Sequence, residues 1–180
     1  MSAAIASPAS TASGASPASP ASPASAGIEA RAWAALGNVP DPEIPVISLV
    51  DLGIIRHVRL ADGVLEVGLS PTYSGCPATE VIRQDVGAAL RSAGIDPVRI
   101  IDVLAPAWSS DWISEQGREA LRRYGIAPPG RRSAASGLPI ACPRCGSVRT
   151  TRVSEFGSTP CKALHRCDAC LEPFEQFKCI

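Results

Sequence analysis

Hydrophobic and polar positions between residues 28 and 127 follow two alternating periods, one typical of helices and one typical of strands. The predicted helices cover residues 28–37, 81–90 and 111–124. The predicted strands cover residues 53–60, 64–69 and 97–104. The order helix, strand, strand, helix, strand, helix predicts an α+β fold, in which helices pack on a mixed sheet of three or four strands to form a small two-layer domain.

Turn-forming residues mark the ends of these elements. Ala61-Asp62-Gly63 separates the first two strands and predicts a hairpin. Gly37, Gly94 and Gly125 follow the three helices, at positions where glycine commonly ends a helix. Ser110 is the predicted N-cap of the last helix.

Residues 38–45 contain three prolines that alternate with Asp41 and Glu43, so this segment is not helical. Two interpretations are open. In the first, the segment is a rigid loop in which Asp41 caps a turn. In the second, the two carboxylates form a wall beside Cys76.

Cys76 lies in Ser74-Gly75-Cys76-Pro77, between the second strand and the second helix. The unpaired amides and the dipole at a helix N-terminus stabilise a thiolate, which is the form that binds metal and attacks electrophiles. Pro77 is suited to the first turn of that helix. Cys76 is therefore a candidate functional thiol, and the alternative is an inert buried cysteine.

Residues 138–180 contain two Cys-x-x-Cys pairs, Cys142 with Cys145 and Cys167 with Cys170. Two such pairs at this separation are typical of a zinc ribbon, in which four thiolates surround one Zn²⁺ tetrahedrally. The segment is too small for an apolar core of its own, so the metal should supply much of its folding free energy. Ribbon strands are predicted over residues 147–154 and 173–178.

Three questions about this segment stay open at the level of the sequence. An iron–sulfur cluster also uses four cysteines, so it is an alternative to zinc. His165 could replace one cysteine as a ligand. Cys161 and Cys179 are additional thiols, either without a role or part of a second site for a soft metal.

The remaining segments and the overall composition bear on disorder, linkers and cellular location. Residues 1–27 are rich in Ala, Ser and Pro and are predicted to be disordered, and residues 128–137 have the composition of a linker. Seven cysteines, four of them in two Cys-x-x-Cys pairs, favour metal binding in a reducing, cytoplasmic location. We expect no membrane association and no secretory signal, because a long apolar run and a basic, apolar N-terminus are both missing.

Charge divides the chain unevenly. Residues 1–117 hold 6 Lys and Arg against 12 Asp and Glu, whereas residues 118–180 hold 11 against 5. The basic half raises the hypothesis of a ribbon that binds nucleic acid. Few aromatic residues are available for base stacking there, so nucleic acid is not the expected partner.

Several motifs in the first domain resemble the iron–sulfur cluster assembly domain family that includes bacterial SufT-like proteins. These motifs are Asp41-Pro42-Glu43-Ile44-Pro45, Asp51-Leu52-Gly53, Ser74-Gly75-Cys76-Pro77 and the region from Trp108 to Trp112. The resemblance implies that Cys76 matches the functional cysteine of the family, with Asp41 and Glu43 as supporting carboxylates on a nearby loop.

Motifs in the C-terminal segment indicate a more specific family. Phe156-Gly157-Ser158-Thr159-Pro160-Cys161, Glu172-Pro173-Phe174 and Phe177-Lys178-Cys179, taken together with the first domain, resemble the PaaD family of the ring-1,2-phenylacetyl-CoA epoxidase system. This implies an accessory protein of aerobic phenylacetate catabolism. Its implied partners are the di-iron oxygenase and iron–sulfur flavin reductase components, and general iron–sulfur assembly proteins.

The chain is not expected to be an enzyme itself. It has no Glu-x-x-His helix motif for a di-iron site, no Gly-rich dinucleotide motif and only two histidines. Taken with these absences, the resemblance implies a factor that assembles or inserts the iron or iron–sulfur centre of the epoxidase, holding iron or a cluster transiently at Cys76. The alternative is a structural or electron-transfer component of the epoxidase with a cluster in its C-terminal cysteines.

Overall fold

The computed structural model describes residues 23–73, 75–130 and 139–179. The helices in these ranges are α1 (Pro23–Leu36), α2 (Thr79–Ser92) and α3 (Glu115–Tyr124). The strands are β1 (Ile55–Ala61), β2 (Val64–Leu69), β3 (Val98–Asp102), β4 (Ile126–Ala127), β5 (Thr150–Ser154), β6 (Lys162–Cys167) and β7 (Pro173–Phe177). Most of the predicted disordered tail and most of the predicted linker lie outside the described residues. No helix within the described ranges is long and apolar enough to cross a membrane.

The first sheet has the order β1-β2-β3 and is mixed, as the order of the elements predicts. β1 and β2 form an antiparallel hairpin whose turn residues, Asp62 and Gly63, both have positive φ. β2 and β3 run parallel, so the chain between them must cross over, and α2 forms this crossover. α1 packs against both β1 and α2. The observed α+β architecture confirms the predicted fold class.

The first helix begins earlier than its hydrophobic pattern predicts. α1 starts at Pro23, inside the segment expected to be disordered, rather than at residue 28. Alanine has the highest helix propensity and proline is favoured in the first turn, so the Ala-rich end of the tail can extend the helix. Ala32 and Leu36 are fully buried.

The start of the last helix also differs from the prediction. Ser114, not Ser110, is the N-cap of α3, and its hydroxyl oxygen accepts a hydrogen bond from the amide of Gly117 at 2.9 Å. Ser110 lies in a separate 3₁₀ turn, Ser110–Trp112, and is buried. A short 3₁₀ turn capped by Ser109, followed by α3 capped by Ser114, replaces the single helix that the sequence pattern predicts. Gly125 ends α3 in the left-handed conformation, as expected.

The second sheet has the order β4-β7-β6-β5. β5, β6 and β7 form an antiparallel ribbon, and the short strand β4 adds to β7 in parallel. β6 is not among the predicted strands, because it mixes buried and charged side chains without a regular alternation. β4 comes directly after α3, so strand pairing joins residues of the first domain to the ribbon.

The two parts of the molecule share one hydrophobic core. Phe177 at the end of β7 is fully buried, and its ring lies 5.8 Å from the ring of Trp108, centroid to centroid. The indole N–H of Trp108 donates a hydrogen bond to the carbonyl of Leu52 at 3.1 Å. Cys161 belongs to the same buried cluster. The ribbon is therefore packed against the first domain.

Candidate functional site

The four cysteines of the Cys-x-x-Cys pairs come together from two turns of the ribbon. Their sulfur atoms all lie within 4.8 Å of one another. Across the two turns, Cys142 Sγ is 3.8 Å from Cys170 Sγ, and Cys145 Sγ is 3.6 Å from Cys167 Sγ. Four thiolates bound tetrahedrally at a Zn–S distance of ~2.3 Å would be about 3.8 Å apart. The geometry therefore fits one tetrahedral metal ion, as predicted from the spacing.

The surroundings of Cys167 favour its ionised form, whereas burial and hydrogen bonds with the neighbouring thiols raise the pKa of Cys170. The backbone amide of Cys170 lies 3.5 Å from Cys167 Sγ, and hydrogen bonding from this amide lowers the pKa of the Cys167 thiol to about 6. His165 does not replace a cysteine in this group. Its buried ring stacks on Phe174, with 5.6 Å between ring centroids.

Asp41 is held tightly in the proline-rich loop. Its Oδ1 accepts hydrogen bonds from the amides of Glu43 at 3.0 Å and Ile44 at 2.9 Å, and the residue is buried. Asp41 therefore caps a turn, which is the first of the two interpretations. Burial raises the pKa of Asp41 despite these hydrogen bonds.

Cys76 lies at the corner between β2 and α2 and is partly exposed. Ala78, which is the N-cap of α2, provides no side-chain cap, and the amide of Thr79 donates to the carbonyl of Cys76 at 3.2 Å. Pro77 consequently precedes the cap, whereas the sequence suggested a position in the first helical turn. The thiol stands just outside the helix.

Cys76 and the two loop carboxylates line one small cavity of about 10 Å³. Cys161 from the ribbon lines the same cavity. The second interpretation of the loop, in which the two carboxylates form a wall beside Cys76, stays a prediction. Cys179 lies elsewhere, where its thiol donates to the carbonyl of Gly130 at 3.4 Å.

Two further side chains surround this thiol and carboxylate group. The hydroxyl of Tyr73 is buried without a hydrogen-bond partner among the described residues. Burial, followed by the neighbouring Cys76, raises the pKa of Tyr73 to about 12. Lys162 is buried, and its Nζ lies 2.9 Å from a carboxylate oxygen of Glu175.

Two ionisable groups of the cavity, Glu43 and Cys161, have pKa values that burial raises. Burial and then the charge of Asp41 raise the pKa of Glu43. Burial also raises the pKa of Cys161, whose sulfur is 3.1 Å from the hydroxyl of Thr159. The cavity thus concentrates acidic groups, and in the described part of the chain no backbone amide donates to the carboxylate of the partly buried Glu43.

Sequence reasoning left the role of Cys161 open and did not single out Tyr73 or Lys162. Tyr73 lies three residues before Cys76, and this short separation was a weak indication that the two side chains are close together. Cys161 and Lys162 are far from Cys76 in sequence. Only the packing of the ribbon on the first domain brings them close.

Comparison with known protein families divides the chain as the structure does. Residues 29–100 match the iron–sulfur cluster assembly protein family, and residues 127–178 match the PaaD zinc beta ribbon domain. The second match begins at β4, in agreement with the pairing of this strand with the ribbon.

Relatives and solved structures give the same division. A domain of unknown function from Bacillus anthracis, DUF59, has a crystal structure that aligns with a TM-score of 0.51 at 26% identity, over 54% of this chain and 94% of that chain. A protein of Porphyromonas gingivalis named as an Fe-S protein maturation auxiliary factor is 40% identical over 51% of this chain and 85% of its own length.

One relative spans both parts. It is a protein of Escherichia coli (strain K12) named as a putative subunit of 1,2-phenylacetyl-CoA epoxidase, and it is 51% identical over 150 residues, which are 82% of this chain and 91% of that protein. The chain therefore belongs to the PaaD family of phenylacetyl-CoA epoxidase subunits, in which an iron–sulfur cluster assembly domain is followed by a zinc ribbon.

Proposed function

We propose that the chain is an accessory protein of aerobic phenylacetate catabolism that assembles or inserts the iron or iron–sulfur centre of the phenylacetyl-CoA epoxidase. The relative from Escherichia coli is named as a subunit of that epoxidase, and the relative from Porphyromonas gingivalis is named as a maturation factor. A protein that combines both relationships is best understood as the maturation component of the epoxidase system.

The observation that carries this proposal is the cavity beside Cys76. A partly exposed thiol and two carboxylates line this cavity, and thiolate and carboxylate oxygen are ligands that suit iron. Partial exposure lets an ion enter and leave, which a factor that transfers its cargo requires. Cys76 is accordingly the functional thiol, and Asp41 and Glu43 support it.

The arrangement argues against catalysis by the chain itself. Neither histidine lines the cavity. His57 Nε2 lies 3.4 Å from a carboxylate oxygen of Glu66 on the first sheet, and His165 stacks in the ribbon. Within the described residues, Cys76 has no adjacent imidazole that could act as a general base. The thiol is better suited to holding a metal than to nucleophilic catalysis.

The ribbon has a structural role in this account, with Zn²⁺ as its metal. The short separations between its four sulfur atoms suit a single ion, whereas a cluster distributes its cysteines over two or more irons. Electron transfer by the ribbon is therefore not favoured. Metal analysis after anaerobic purification should give about one zinc per chain and no visible absorption from a cluster.

Nucleic acid is also not favoured as a partner. Arginines of the ribbon are already paired with acidic residues of the ribbon: Arg144 with Glu172 at 3.3 Å, and Arg152 with Glu155 at 2.8 Å. These pairs reduce the positive field that nucleic acid would need. The expected partners remain the oxygenase and reductase components, together with general iron–sulfur assembly proteins.

The proposal is tested in cells that produce the epoxidase components with either the wild-type chain or Cys76→Ala. We expect the variant to fold and to retain its zinc, while the oxygenase and reductase components contain much less iron. Cys179→Ala, which changes a thiol away from the cavity, is the matched control. Full iron content of both components with Cys76→Ala would overturn the proposal.

A further inference from the structure

The two faces of the first sheet differ in what they contact. Side chains alternate between the faces along each strand, and the face that includes Val67 belongs to the buried core. The opposite face carries Arg59, Glu66 and Arg99, which lie side by side on β1, β2 and β3. His57, two residues before Arg59, lies on the same face. These four residues form the charged face of the sheet.

Glu66 is buried at the centre of the charged face. Its side chain is only 8% exposed, and a carboxylate in such a position needs a positive partner. Arg59 is that partner, because its Nε donates a hydrogen bond to Glu66 Oε1 at 2.7 Å. Burial alone would raise the pKa of Glu66, but the hydrogen bonds and charges of Arg59 and His57 lower it. Glu66 is therefore ionised at neutral pH.

The charged face holds more positive charge than Glu66 requires. Arg99 Nη1 lies 3.8 Å from Glu66 Oε2, which is longer than a hydrogen bond. The side chains of Arg59 and Arg99 are 62% and 57% exposed, so both guanidinium groups reach solvent. One arginine is enough to balance the carboxylate, and the second leaves the face with a net positive charge.

The sign of this charge is opposite to that of the rest of the first domain. Residues 1–117 hold 6 Lys and Arg against 12 Asp and Glu. Two of these six basic residues lie on the charged face, together with one of the twelve acidic residues. A positive area on a negative domain attracts carboxylates to one place and repels them elsewhere, so it fixes the orientation in which an acidic partner binds.

The charged face is broad enough to contact a protein surface. Neighbouring strands of a sheet lie ~4.8 Å apart, so the backbones that carry Arg59 and Arg99 are about 10 Å apart. A Cβ atom added at Gly68 on β2 would lie 2.7 Å from Cγ2 of Val103, so the Val103 side chain crosses this face. Leu104, the next residue, is 70% exposed. Arginines beside apolar groups are common in the contact surfaces between proteins.

The loop that carries Cys76 starts at one end of the charged face. β2 ends at Leu69, and the chain reaches Cys76 after residues 70–75. The amide of Val103 donates to the carbonyl of Leu69 at 2.7 Å, which places Leu104 at the same end of the sheet. A partner that covers the charged face and Leu104 therefore reaches the end of the sheet from which the Cys76 loop starts.

We propose that the charged face docks a carboxylate-rich surface of the epoxidase component that receives the iron, with Leu104 at the border of the contact. Arg59 and Arg99 form ion pairs with Asp or Glu side chains of that component, and Glu66 holds Arg59 in place. This inference rests on the proposed function and adds the surface and the chemistry by which the receiving component is recognised.

The first experiment measures binding of the full, zinc-loaded chain to each purified oxygenase and reductase component by isothermal titration calorimetry. We expect one component to bind, and to bind more weakly at about 300 mM salt than at about 50 mM salt, because salt screens exposed charges. Arg99→Glu should weaken binding at low salt at least tenfold. Arg91→Glu, on an exposed position of α2, makes the same change in net charge and should weaken it less than twofold.

A second experiment identifies the chemistry of the partner surface. The chain contains only two lysines, Lys162 and Lys178. Arg99→Lys keeps the positive charge and adds an amine that a water-soluble carbodiimide joins to an adjacent carboxylate as an amide. Mass spectrometry should find this amine joined to an Asp or Glu of the bound component, whereas Arg91→Lys should give no such product. No joined carboxylate with Arg99→Lys would overturn the proposal.

Zinc content and thermal unfolding verify that each variant is folded, and Arg99→Gln replaces Arg99→Glu if the latter is not. Equal affinities of Arg99→Glu and Arg91→Glu, or a wild type that binds neither component, would mean that the charged face is not the docking surface. A wild-type dimer that Arg99→Glu dissociates in sedimentation would assign the face to a second copy of the chain and would also overturn the proposal.

The outcomes separate this inference from the proposed function. Cys76→Ala should bind the component as the wild type does, because it leaves the charged face unchanged. If Arg99→Glu loses binding while components produced with Cys76→Ala contain full iron, the docking surface stands and the role of Cys76 is wrong. If components produced with Arg99→Glu contain full iron while those produced with Cys76→Ala do not, the docking surface is wrong and the role of Cys76 stands.

Discussion

The ribbon site and the cavity beside Cys76 use the same side chain for opposite purposes. In the ribbon, four thiols from two local turns lie within 4.8 Å of one another and can enclose a metal completely. In the cavity, two thiols from distant parts of the chain share a small space with carboxylates, and Cys76 stays partly exposed. A complete sulfur shell suits permanent binding, whereas a mixed and accessible set suits transient binding.

The largest expected effect comes from removing the ribbon metal. A strong chelator should unfold the sheet of β5, β6 and β7, because structural zinc contributes on the order of 10 kcal/mol to folding. Phe177 would then no longer pack against Trp108, so circular dichroism and tryptophan fluorescence should both change. Cys76→Ala should leave both signals as in the wild type. A ribbon that keeps its structure without metal would contradict the structural role of this site.

The next effect tests the contact between the two parts. Phe177→Ala removes a fully buried ring from the shared core and should lower the free energy of unfolding by about 3–5 kcal/mol. Phe156→Ala changes an aromatic residue that is 60% exposed and should alter it by no more than ~0.5 kcal/mol. Urea unfolding of the zinc-loaded protein measures both. Equal effects of the two variants would mean that the ribbon is not packed on the first domain.

A smaller effect distinguishes the two carboxylates of the loop. Asp41→Ala removes an acceptor of two backbone hydrogen bonds and should lower the free energy of unfolding by about 1–2 kcal/mol. Glu43→Ala should change stability less and, under the proposed function, iron affinity more, since no described backbone amide holds the Glu43 carboxylate. Unfolding and ⁵⁷Fe²⁺ dialysis on the same two variants provide the comparison. The reverse pattern would assign the ligand role to Asp41.

The smallest effect is a pH dependence at Glu43. Burial and the charge of Asp41 raise the pKa of Glu43 in the folded protein, so the protonated form of Glu43 favours folding. This stabilisation is fully present below the pKa of the unfolded chain and is lost as the pH rises through the pKa of the folded protein. Without iron, Glu43→Gln should therefore be slightly more stable than the wild type at neutral pH, and the difference should shrink towards pH ~4. Asp85→Asn, on the exposed side of α2, is the control. A difference that does not vary with pH would show that the surroundings of Glu43 do not disfavour its charged form.

The difference between the ribbon site and the cavity beside Cys76 also explains which features the sequence could predict. The ribbon ligands were predictable because a Cys-x-x-Cys turn brings its two thiols together by local geometry. The α+β fold class and the first hairpin were predictable because hydrophobic periods and the turn residues Asp62 and Gly63 act locally.

The cavity depends on tertiary packing, which local patterns do not encode. No spacing relates Cys161 to Cys76, and their meeting depends on Phe177 entering the core beside Trp108. The missed strand β6 has the same origin, because its residues are specified by pairing with both neighbours rather than by their own alternation. The cap at Ser114 was missed for a local reason, because a 3₁₀ turn with a serine cap of its own comes directly before α3.

The central claim is that Cys76 transfers iron to the epoxidase, and transfer can be measured directly. The chain is loaded with ⁵⁷Fe²⁺, mixed anaerobically with each metal-free epoxidase component in turn, and separated again, and the ⁵⁷Fe in the component is followed by Mössbauer spectroscopy. We predict that the wild type fills the site of one component faster than the same amount of free ⁵⁷Fe²⁺, and that Cys76→Ala gives no acceleration. An equal rate of filling with wild type, Cys76→Ala and free iron would contradict the account.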